Sequence, residues 1–332
     1  MICLGIESTA HTFSCSIVDE HSILSDVRDV YKPPAGSGIH PREASRHHAD
    51  VCDLVLKQAL LDANVSIKND VDVIAYSAGP GLGPCLRIGA VVARCLASYY
   101  NKPIVPVNHA IGHIELGIRL TSARDPIVLL VSGGHCMILA FYNCRWRVLG
   151  ETLDITLGQL LDQFGRALGF ASPCGSKIEE LASRSTNYIK LPYTVKGNDV
   201  SYSGLLTAAK RLVLVDKAKV EDVCYSLQET AFAMLAEATE RALAFTRKDE
   251  LLVVGGVAAN KRLATMLESI CNRQGASLHI VPTRYAGDCG AQIACTGLLA
   301  YNAGLSVDVS KAFVRQSWRL DSVDIIWRKP NG

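Results

Sequence analysis

The chain has 332 residues, of which 49% are hydrophobic and 20% charged, and its formal net charge is +2. This length suits two domains of ordinary size with substantial cores. A charge so close to zero excludes the strongly basic class of stand-alone nucleic-acid binders, so any RNA contact needs a local patch or a partner protein.

The twelve cysteines are scattered through apolar runs, and none forms a Cys-x-x-Cys pair. This spacing excludes a zinc-finger or thioredoxin pattern. Free cysteine in such runs behaves as a small buried hydrophobe in a reducing compartment. No basic leader precedes the apolar N-terminus, and no apolar run approaches membrane-spanning length. We therefore expect a cytoplasmic protein without a membrane anchor.

A meander of three strands opens the chain. Apolar and alternating runs predict strands at 1–7, 13–18 and 23–31, followed by a loop rich in proline and glycine at 32–41. The next segment, 42–63, has the periodicity of a helix.

This first helix has a predicted inner and outer face. Its inward side chains are Ala44, Val51, Leu54, Val55 and Ala59. Its first turns are expected to expose Arg42, Arg46, His47 and His48. These basic residues form either a solvated helix face, which we favour, or an RNA-contacting patch.

A glycine-rich turn at 78–84 joins a predicted strand at 71–77 to a helix that ends near residue 100. Such a turn can cradle phosphates. It lacks the Lys-Ser/Thr of a Walker motif, and Pro80 and Pro84 remove two N–H donors. A tight connection under a packed helix is the simpler interpretation.

The next strand runs into a helix that carries two histidines. Asn108 is a good N-cap, and His109 and His113 lie four residues apart on one face. The positive helix N-terminus should hold both rings neutral, which is the form that binds metal. Only Glu115 and Arg119 are expected to point outward from this helix. A histidine pair alone could also be hydrogen-bonded core residues, so a third ligand is needed.

The second half repeats the opening pattern. Strands are predicted at 127–132, 136–142 and 145–151, and a helix at 156–170. The repetition predicts two similar α/β domains packed about a cleft. Ligands in such sheets bind beyond the carboxyl ends of the strands, which is where the sequence Ser-Gly-Gly at 132–134 falls.

The predicted domains are 1–123 and 124–332, and the second contains a helical insertion at about 172–247. After the insertion the sheet resumes, with strands and helices at 251–254, 261–273, 278–281 and 291–303. The first of these strands ends in Gly255 and Gly256, which let backbone approach a flat ligand closely.

Asp288 lies between glycines just before the last main helix. An acid at this position is often only a helix cap.

Ordered motifs over nearly the whole chain carry a family resemblance. They are REASRHH (42–48), the glycine turn (79–83), the histidine segment (103–114), SGGH (132–135), GETLDI (150–155), LPYTVKG (191–197), SGLLTAA (203–209), SLQETAFAMLAEATE (226–240), GGVAAN (255–260) and DIIWR (324–328). Together they resemble the universal tRNA threonylcarbamoyltransferase family in its archaeal and eukaryotic form. Members of that family are the modifying subunit of the KEOPS complex and were once named O-sialoglycoprotein endopeptidases.

The resemblance implies an actin-like fold, shared with heat-shock chaperones and sugar kinases, in which two ribonuclease-H-like halves enclose a nucleotide. It also implies that His109, His113 and Asp288 hold one divalent metal ion, iron or zinc. That ion would lie near the phosphates of an adenine nucleotide or of threonylcarbamoyl-AMP.

The resemblance further implies a set of ligand-binding residues. They are Leu130, Val131, Ser132, Gly133, Gly134, Asp162, Gly175, Glu179, Gly255, Gly256 and Asn260. Asp162 and Glu179 are expected to accept from ribose hydroxyls, and the last three residues are expected to hold adenosine.

Three positions depart from the family pattern. Leu130 stands where archaeal and eukaryotic relatives usually have tyrosine, which can act as a fourth metal ligand. Three protein ligands leave an open coordination position, as a Lewis-acid site needs. Cys174 replaces a usual glycine, and Cys289 replaces a usual asparagine beside Asp288, where a thiol could alter metal affinity.

The implied reaction is transfer of the threonylcarbamoyl group from threonylcarbamoyl-AMP to the N6 amine of adenosine 37, in tRNAs that read ANN codons. The metal would polarise the carbamoyl carbonyl or the adenylate phosphate. The implied partners are tRNA, a kinase-like ATPase subunit, a dimerising subunit and a small accessory subunit of the KEOPS complex.

Two other functions stay open at this stage. A metalloprotease would use the same histidine pair, but Ala110 stands where thermolysin-like enzymes carry the glutamate base. An ATP-binding, chaperone-like scaffold without its own chemistry fits the fold, although a pure nucleotide switch needs no transition-metal ligands.

Overall fold

Two five-stranded sheets with the same topology form the two halves of the protein. The structure, a computed structural model, describes residues 1–328. In each half, three antiparallel strands are extended by two parallel strands. The duplicated pattern predicted from the sequence is therefore confirmed.

The first half follows the predicted order of elements. Its strands are β1 (Cys3–Glu7), β2 (Thr12–Val18), β3 (Ile23–Val30), β4 (Val73–Gly79) and β5 (Ile104–Asn108), in the sheet order β3-β2-β1-β4-β5. Its helices are α1 (Pro41–Ala63), α2 (Gly83–Tyr100) and α3 (His109–Thr121).

The second half has the corresponding sheet, ordered β12-β11-β6-β7-β8. Its strands are β6 (Ile127–Val131), β7 (Cys136–Tyr142), β8 (Arg145–Glu151), β9 (Val195–Lys196), β10 (Asp199–Val200), β11 (Glu250–Val254) and β12 (Ser277–Ile280). Its helices are α4 (Leu157–Ala167), α5 (Gly175–Ala182), α6 (Ser203–Leu214), α7 (Val220–Thr246), α8 (Lys261–Gln274), α9 (Thr283–Ala286) and α10 (Gly290–Asn302). The hairpin β9-β10 within the helical insertion was not predicted.

Two predicted orientations on α1 are wrong. His48 is fully buried and its ring lies 5.7 Å from that of Phe13, whereas Leu54 is 64% exposed. The buried positions of α1 include Ala44, His48, Val55 and Ala59, because α1 packs on β2 and β3 along that stripe. The imidazole of His48 is therefore buried near a phenyl ring, although hydropathy predicted its exposure and the burial of Leu54.

The predicted exposure of Glu115 is also wrong. Every residue of α3 from His109 to Gly117 is buried, and Glu115 is only 2% exposed. Its carboxylate is paired with the guanidinium of Arg328, 3.1 Å away. Because that partner lies 213 residues further along the chain, helix periodicity could not reveal it.

The two halves exchange one helix each. α3 packs on β6, β11 and β12 of the second sheet, and α10 packs on β1, β2 and β4 of the first. Ala110, Ile111 and Ile114 of α3 accordingly belong to the core of the second half. The domain limits stay a prediction, but helices from both sides of residue 123 meet between the sheets.

After α10 the chain returns across both halves. We call residues 305–328 the C-terminal strap. Val307 pairs with Ile104 on the edge of the first sheet, and the Ile325 N–H donates to Cys144 O in the second half. No helix within residues 1–328 is both long and apolar enough to cross a membrane.

Candidate metal and nucleotide site

Three predicted metal ligands meet between the two halves. Asp288 Oδ1 lies 3.6 Å from His109 Nε2 and 3.3 Å from His113 Nε2. The two imidazole rings are 4.8 Å apart between centroids and nearly perpendicular. All three residues offer ligand atoms within 4.8 Å of one another.

The N-cap of α3 aligns the two histidines. Asn108 Oδ1 accepts hydrogen bonds from the backbone N–H groups of Ala110 and Ile111, at 3.0 and 3.3 Å. The helix therefore begins at His109, as predicted, and places both rings in its first two turns.

Asp288 does not cap α10, although its position before the helix made that the simplest interpretation. The N–H of Gly290 donates to Ser14 Oγ at 2.8 Å, and the N–H of Ala291 donates to Asp26 Oδ1 at 3.2 Å. Strands β2 and β3 thus satisfy the helix terminus. The Asp288 carboxylate is left to face the histidines.

Glu7 is a site residue that the sequence interpretation missed. It ends β1, is fully buried, and its Oε2 accepts from His109 Nδ1 at 2.9 Å. Gln292 Nε2 and Thr9 Oγ1 lie 3.0 and 3.3 Å from the same ring nitrogen. Because a carboxylate only accepts, it keeps a proton on Nδ1 and leaves Nε2 facing Asp288. An acid at the carboxyl end of a central strand was the available signal.

The carboxylates around His109 affect its protonation, which the sequence analysis predicted to be neutral. Burial alone lowers the pKa of His109, but the carboxylates of Glu7 and Asp288 outweigh it and raise that pKa to about 9. The prediction that both rings are neutral is therefore wrong for His109 in the metal-free protein. Burial lowers the pKa of His113, so that ring is neutral as expected. Burial opposes ionisation of Asp288, but the two histidines hold its pKa well below the usual range.

These residues fit a divalent metal ion. His113 Nε2 is buried and has no hydrogen-bond partner of good geometry within residues 1–328, although Asp288 Oδ1 lies 3.3 Å away. A buried nitrogen without a partner is costly unless something else satisfies it, and a metal ion would do so. Leu130 is fully buried in the apolar core and offers no ligand atom. The set is thus two imidazoles and one carboxylate, as in catalytic sites that keep an open position.

The predicted ligand-binding segment 130–134, whose turn follows β6, lies beside this cluster. Ser132 Oγ accepts from the N–H groups of Gly134 and His135, at 3.2 and 3.0 Å, and so shapes the turn after β6. A β-carbon added at Gly133 or Gly134 would meet no atom of the described residues within 4 Å beyond the neighbours in the chain, and both glycines are exposed. The ring of His135 stacks at 6.2 Å from that of His109. The loop and the metal ligands therefore border the same space.

Leu130 and Val131, in contrast, have fully buried side chains within the core of the second half. Only their backbone could meet a ligand. Gly255 lies against them: its φ is +96°, and a β-carbon there would be 2.3 Å from Val131 O. Only glycine tolerates both conditions.

The remaining predicted ligand residues lie on, or directly before, helices α4, α5 and α8. Asp162 Oδ1 accepts from Cys174 N at 2.6 Å, next to the start of α5 at Gly175. Burial raises the pKa of Asp162. Glu179 Oε1 accepts from Lys261 N at 2.8 Å. Both carboxylates already have a backbone partner and keep a second oxygen for a ligand.

Asn260 has a structural role in addition to its predicted one. Its Oδ1 caps α8 by accepting from the N–H groups of Arg262 and Leu263, and its Nδ2 donates to Gln228. Beside it lies an open cavity of about 780 Å³, whose lining includes Ser176, Glu179, Tyr225, Gln228, Glu229 and Arg262. A cavity of this size can hold a nucleoside.

The chain is similar in sequence to one family throughout most of its length. The family model described as TsaD, tRNA N6-adenosine threonylcarbamoyltransferase, matches residues 22–295. The relative from Caldivirga maquilingensis is 50% identical over 98% of both chains. The relative from Metallosphaera sedula is 51% identical over 99% of this chain and all of its own. Both bear the name tRNA N6-adenosine threonylcarbamoyltransferase.

Solved structures share the fold at low sequence identity. The HypF structure from T. kodakarensis has a TM-score of 0.64 at 13% identity, over 91% of this chain and 48% of that one. The activator of 2-hydroxyisocaproyl-CoA dehydratase from Clostridium difficile, solved with bound ADPNP, has a TM-score of 0.54 at 12% identity, over 92% of this chain and 97% of that one. The likeness confirms the predicted two-domain α/β fold and, at such identities, shows the fold alone.

Proposed function

The chain belongs to the tRNA N6-adenosine threonylcarbamoyltransferase family, a family of tRNA-modifying transferases, and from this premise we propose its reaction. The threonylcarbamoyl group of threonylcarbamoyl-AMP is transferred to the N6 amine of adenosine 37, in tRNAs that read ANN codons. The bond between the carbamoyl carbon and the phosphate oxygen breaks, the bond to N6 forms, and AMP leaves with the amine losing one proton. We propose that this reaction takes place in the cytoplasm.

The observation that carries this proposal is the cluster of two buried histidines, His109 and His113, with the half-buried Asp288 beside the loop after β6. The Nε2 atoms of both histidines and Asp288 Oδ1 would hold one divalent ion, iron or zinc. When bound, the ion supplies Lewis-acid polarisation of the carbamoyl carbonyl or the adenylate phosphate. Glu7 keeps the His109 proton on Nδ1, and the neutral His113 ring needs no deprotonation before it binds.

The chain's own loops position the donor in this proposal. Gly133 and Gly134 carry no side chain and face open space, so an anionic phosphate can approach their backbone closely. The free carboxylate oxygens of Asp162 and Glu179 would accept from the ribose hydroxyls. The backbone at Gly255 and Gly256, with Asn260, would then border the adenine next to the cavity described above.

The proposed partners are tRNA and the kinase-like, dimerising and accessory subunits of the KEOPS complex. Exposed apolar side chains on α1 and α2 support docking of a protein subunit that presents an apolar face. Leu54 and Leu61 are exposed two turns apart on α1, as are Val91 and Tyr99 on α2. An exposed apolar patch marks an interaction site when its side chains are contiguous.

Replacing this surface tests the proposed docking. Leu61→Glu with Tyr99→Ser should abolish co-purification with the KEOPS subunits while the protein still binds Zn²⁺. The matched control is Phe245→Ser, which removes an exposed aromatic residue from α7 and should keep the complex intact. Normal assembly by the double variant would exclude this surface as the docking site.

The alternatives weighed from the sequence gain no support. The relatives are named as transferases, and Ala110 stands where a zinc peptidase of the thermolysin type needs its glutamate base. A chaperone-like nucleotide switch has no use for a buried pair of histidines with a carboxylate.

The decisive experiment is single-turnover transfer of labelled threonylcarbamoyl-AMP to unmodified tRNA, with the partner subunits supplied. The parent protein should label adenosine 37, and His109→Ala should not. The matched control is His21→Ala, since His21 is exposed in the turn between β2 and β3. Equal labelling by His109→Ala and the parent would remove the metal cluster from the mechanism.

A further inference from the structure

The C-terminal strap contacts both ends of the stretch of α3 that carries the histidines. We propose that the strap positions the metal ligands. Its residues Trp318 and Arg328 bind two attachment points, which are the N-cap of α3 and Glu115. This inference rests on the proposed function, because it requires that His109 and His113 bind a metal.

The strap is first fixed to the first half. The Val307 N–H donates to Ile104 O at 3.0 Å, which extends the edge of β5. Further along, the Arg315 N–H donates to Ala78 O at 2.6 Å, and the Gly81 N–H donates to Gln316 O at 3.1 Å. These bonds hold the strap against the carboxyl end of β4, next to the start of α3.

The first attachment point is the N-cap of α3. Asn108 Nδ2 donates to Trp318 O at 3.0 Å, while Oδ1 of the same side chain caps the helix. The Trp318 ring is in turn covered by the guanidinium of Arg315, 4.7 Å from its centroid. The buried side-chain amide of Asn108, the residue directly before His109, is therefore hydrogen-bonded to the strap.

The strap then crosses to the second half. Leu320 is buried in the apolar core of that half. Asp324 accepts from Arg145 Nε on β8 at 2.6 Å. Together with the bond from Ile325 to Cys144, these contacts fix the strap to the hairpin β7-β8.

The second attachment point is Glu115, two residues beyond His113. Arg328 Nε and Nη2 each lie 3.1 Å from a Glu115 carboxylate oxygen, in a bidentate pair. The guanidinium also lies over the rings of Phe141 and Trp146, 5.9 and 5.7 Å from their centroids. Because Glu115 is buried, removing Arg328 would leave an uncompensated charge on α3.

The two attachment points bracket His109 and His113 in the chain. Apolar packing against α10 and the second sheet is non-directional, whereas these hydrogen bonds fix where the helix lies along its axis and how it is rotated. Metal ligands must be held to within about 0.5 Å of the productive geometry. Loss of either attachment should therefore weaken metal binding without touching a ligand.

The test is direct measurement of Zn²⁺ affinity by chelator competition, using the full chain and no turnover. Arg328→Gln should weaken Zn²⁺ binding by about tenfold or more, the range known for residues that orient metal ligands. Its affinity for an adenine nucleotide should stay unchanged. The matched control is Arg211→Gln, which removes an arginine from an exposed pair with Asp216 after α6; that pair involves no residue of the strap, so Zn²⁺ affinity should stay within twofold of the parent.

A second variant keeps the test valid if Arg328→Gln does not fold. In Asn108→Ser the hydroxyl oxygen still caps α3, but the side chain is shorter and the Nδ2 donor to Trp318 O is lost. Zn²⁺ affinity should again fall. Parent-like affinity in both folded variants would overturn the inference while leaving the proposed metal site standing. A parent that binds no Zn²⁺ would instead overturn the proposed metal site, and the positioning role with it.

Discussion

The two halves of the protein supply the metal ligands from corresponding places, at the start of a helix, but the two helices are capped differently. His109 and His113 begin the helix that follows the last strand of the first sheet, and Asp288 precedes the last helix of the second half. α3 is capped by its own neighbour Asn108, whereas α10 is capped from the other half by Ser14 and Asp26. A carboxylate just before a helix is free for a metal only if something else caps that helix. The cap of α10 therefore depends on tertiary contacts, whereas the cap of α3 is local in the chain.

We expect the largest loss of Zn²⁺ affinity from a substitution of Asp288, the ligand that the second half supplies. Asp288→Asn keeps the size of the side chain but removes its charge from beside two imidazoles. We expect Zn²⁺ affinity to fall by more than about 100-fold, beyond the loss typical of an outer-shell residue. Calorimetric titration measures it, with the exposed Asp53→Asn on α1 as control. A loss of less than tenfold would mean that the first half binds the metal almost alone.

A substitution at Glu7 tests how the first half orients the ring of His109. Glu7→Gln keeps a hydrogen-bond acceptor near His109 Nδ1 but removes the buried charge. Zn²⁺ affinity should fall by about 10- to 100-fold, because the ring is less firmly held and less basic. The exposed Glu20→Gln, after β2, is the control. Unchanged affinity would show that Gln292 and Thr9 suffice to orient the ring.

The pH dependence of metal binding should report the same carboxylates. Since the pKa of His109 is raised to about 9, the metal-free protein holds a proton there at pH 7 that a metal must displace. Apparent Zn²⁺ affinity should therefore rise with pH up to about 9, by as much as about tenfold per unit. Titrations at pH 7 and pH 8, corrected for the chelator, test this. A flat profile would contradict the assigned charge on His109, and Glu7→Gln should make the profile shallower.

The smallest effect concerns the cap of α10. Ser14→Ala removes the acceptor for the Gly290 N–H and should lower the free energy of unfolding by about 1 kcal/mol, as loss of an N-cap does. Urea unfolding measures this. Zn²⁺ affinity should fall slightly, because Asp288 can then turn toward the free N–H groups. The control is Ser310→Ala in the strap, whose side chain bonds only Asp308 of its own turn. Higher metal affinity in Ser14→Ala would contradict this account of the cap.

Much of the site was accessible from the sequence because its signals are local. The spacing of His109 and His113, the cap at Asn108 and the two repeated strand patterns follow from the 3.6-residue and 2-residue periods of regular structure. Those periods predict the strands of the two five-stranded sheets in the order in which the structure has them. The family motifs then added Asp288, whose own sequence context predicted only a helix cap.

Tertiary structure alone decided which distant groups meet. The contacts from Glu7 to His109 and from Glu115 to Arg328 span 102 and 213 residues, far beyond any helix or strand period. The same holds for the burial of His48, which depends on how α1 is rotated against β2, and for the exchange of α3 and α10 between the sheets. The sequence by itself determined the elements and the ligand types, because these depend on neighbours in the chain. Pairing of buried charges depends on the packing of both halves together, since a carboxylate is stable there only next to a partner that the fold brings to it.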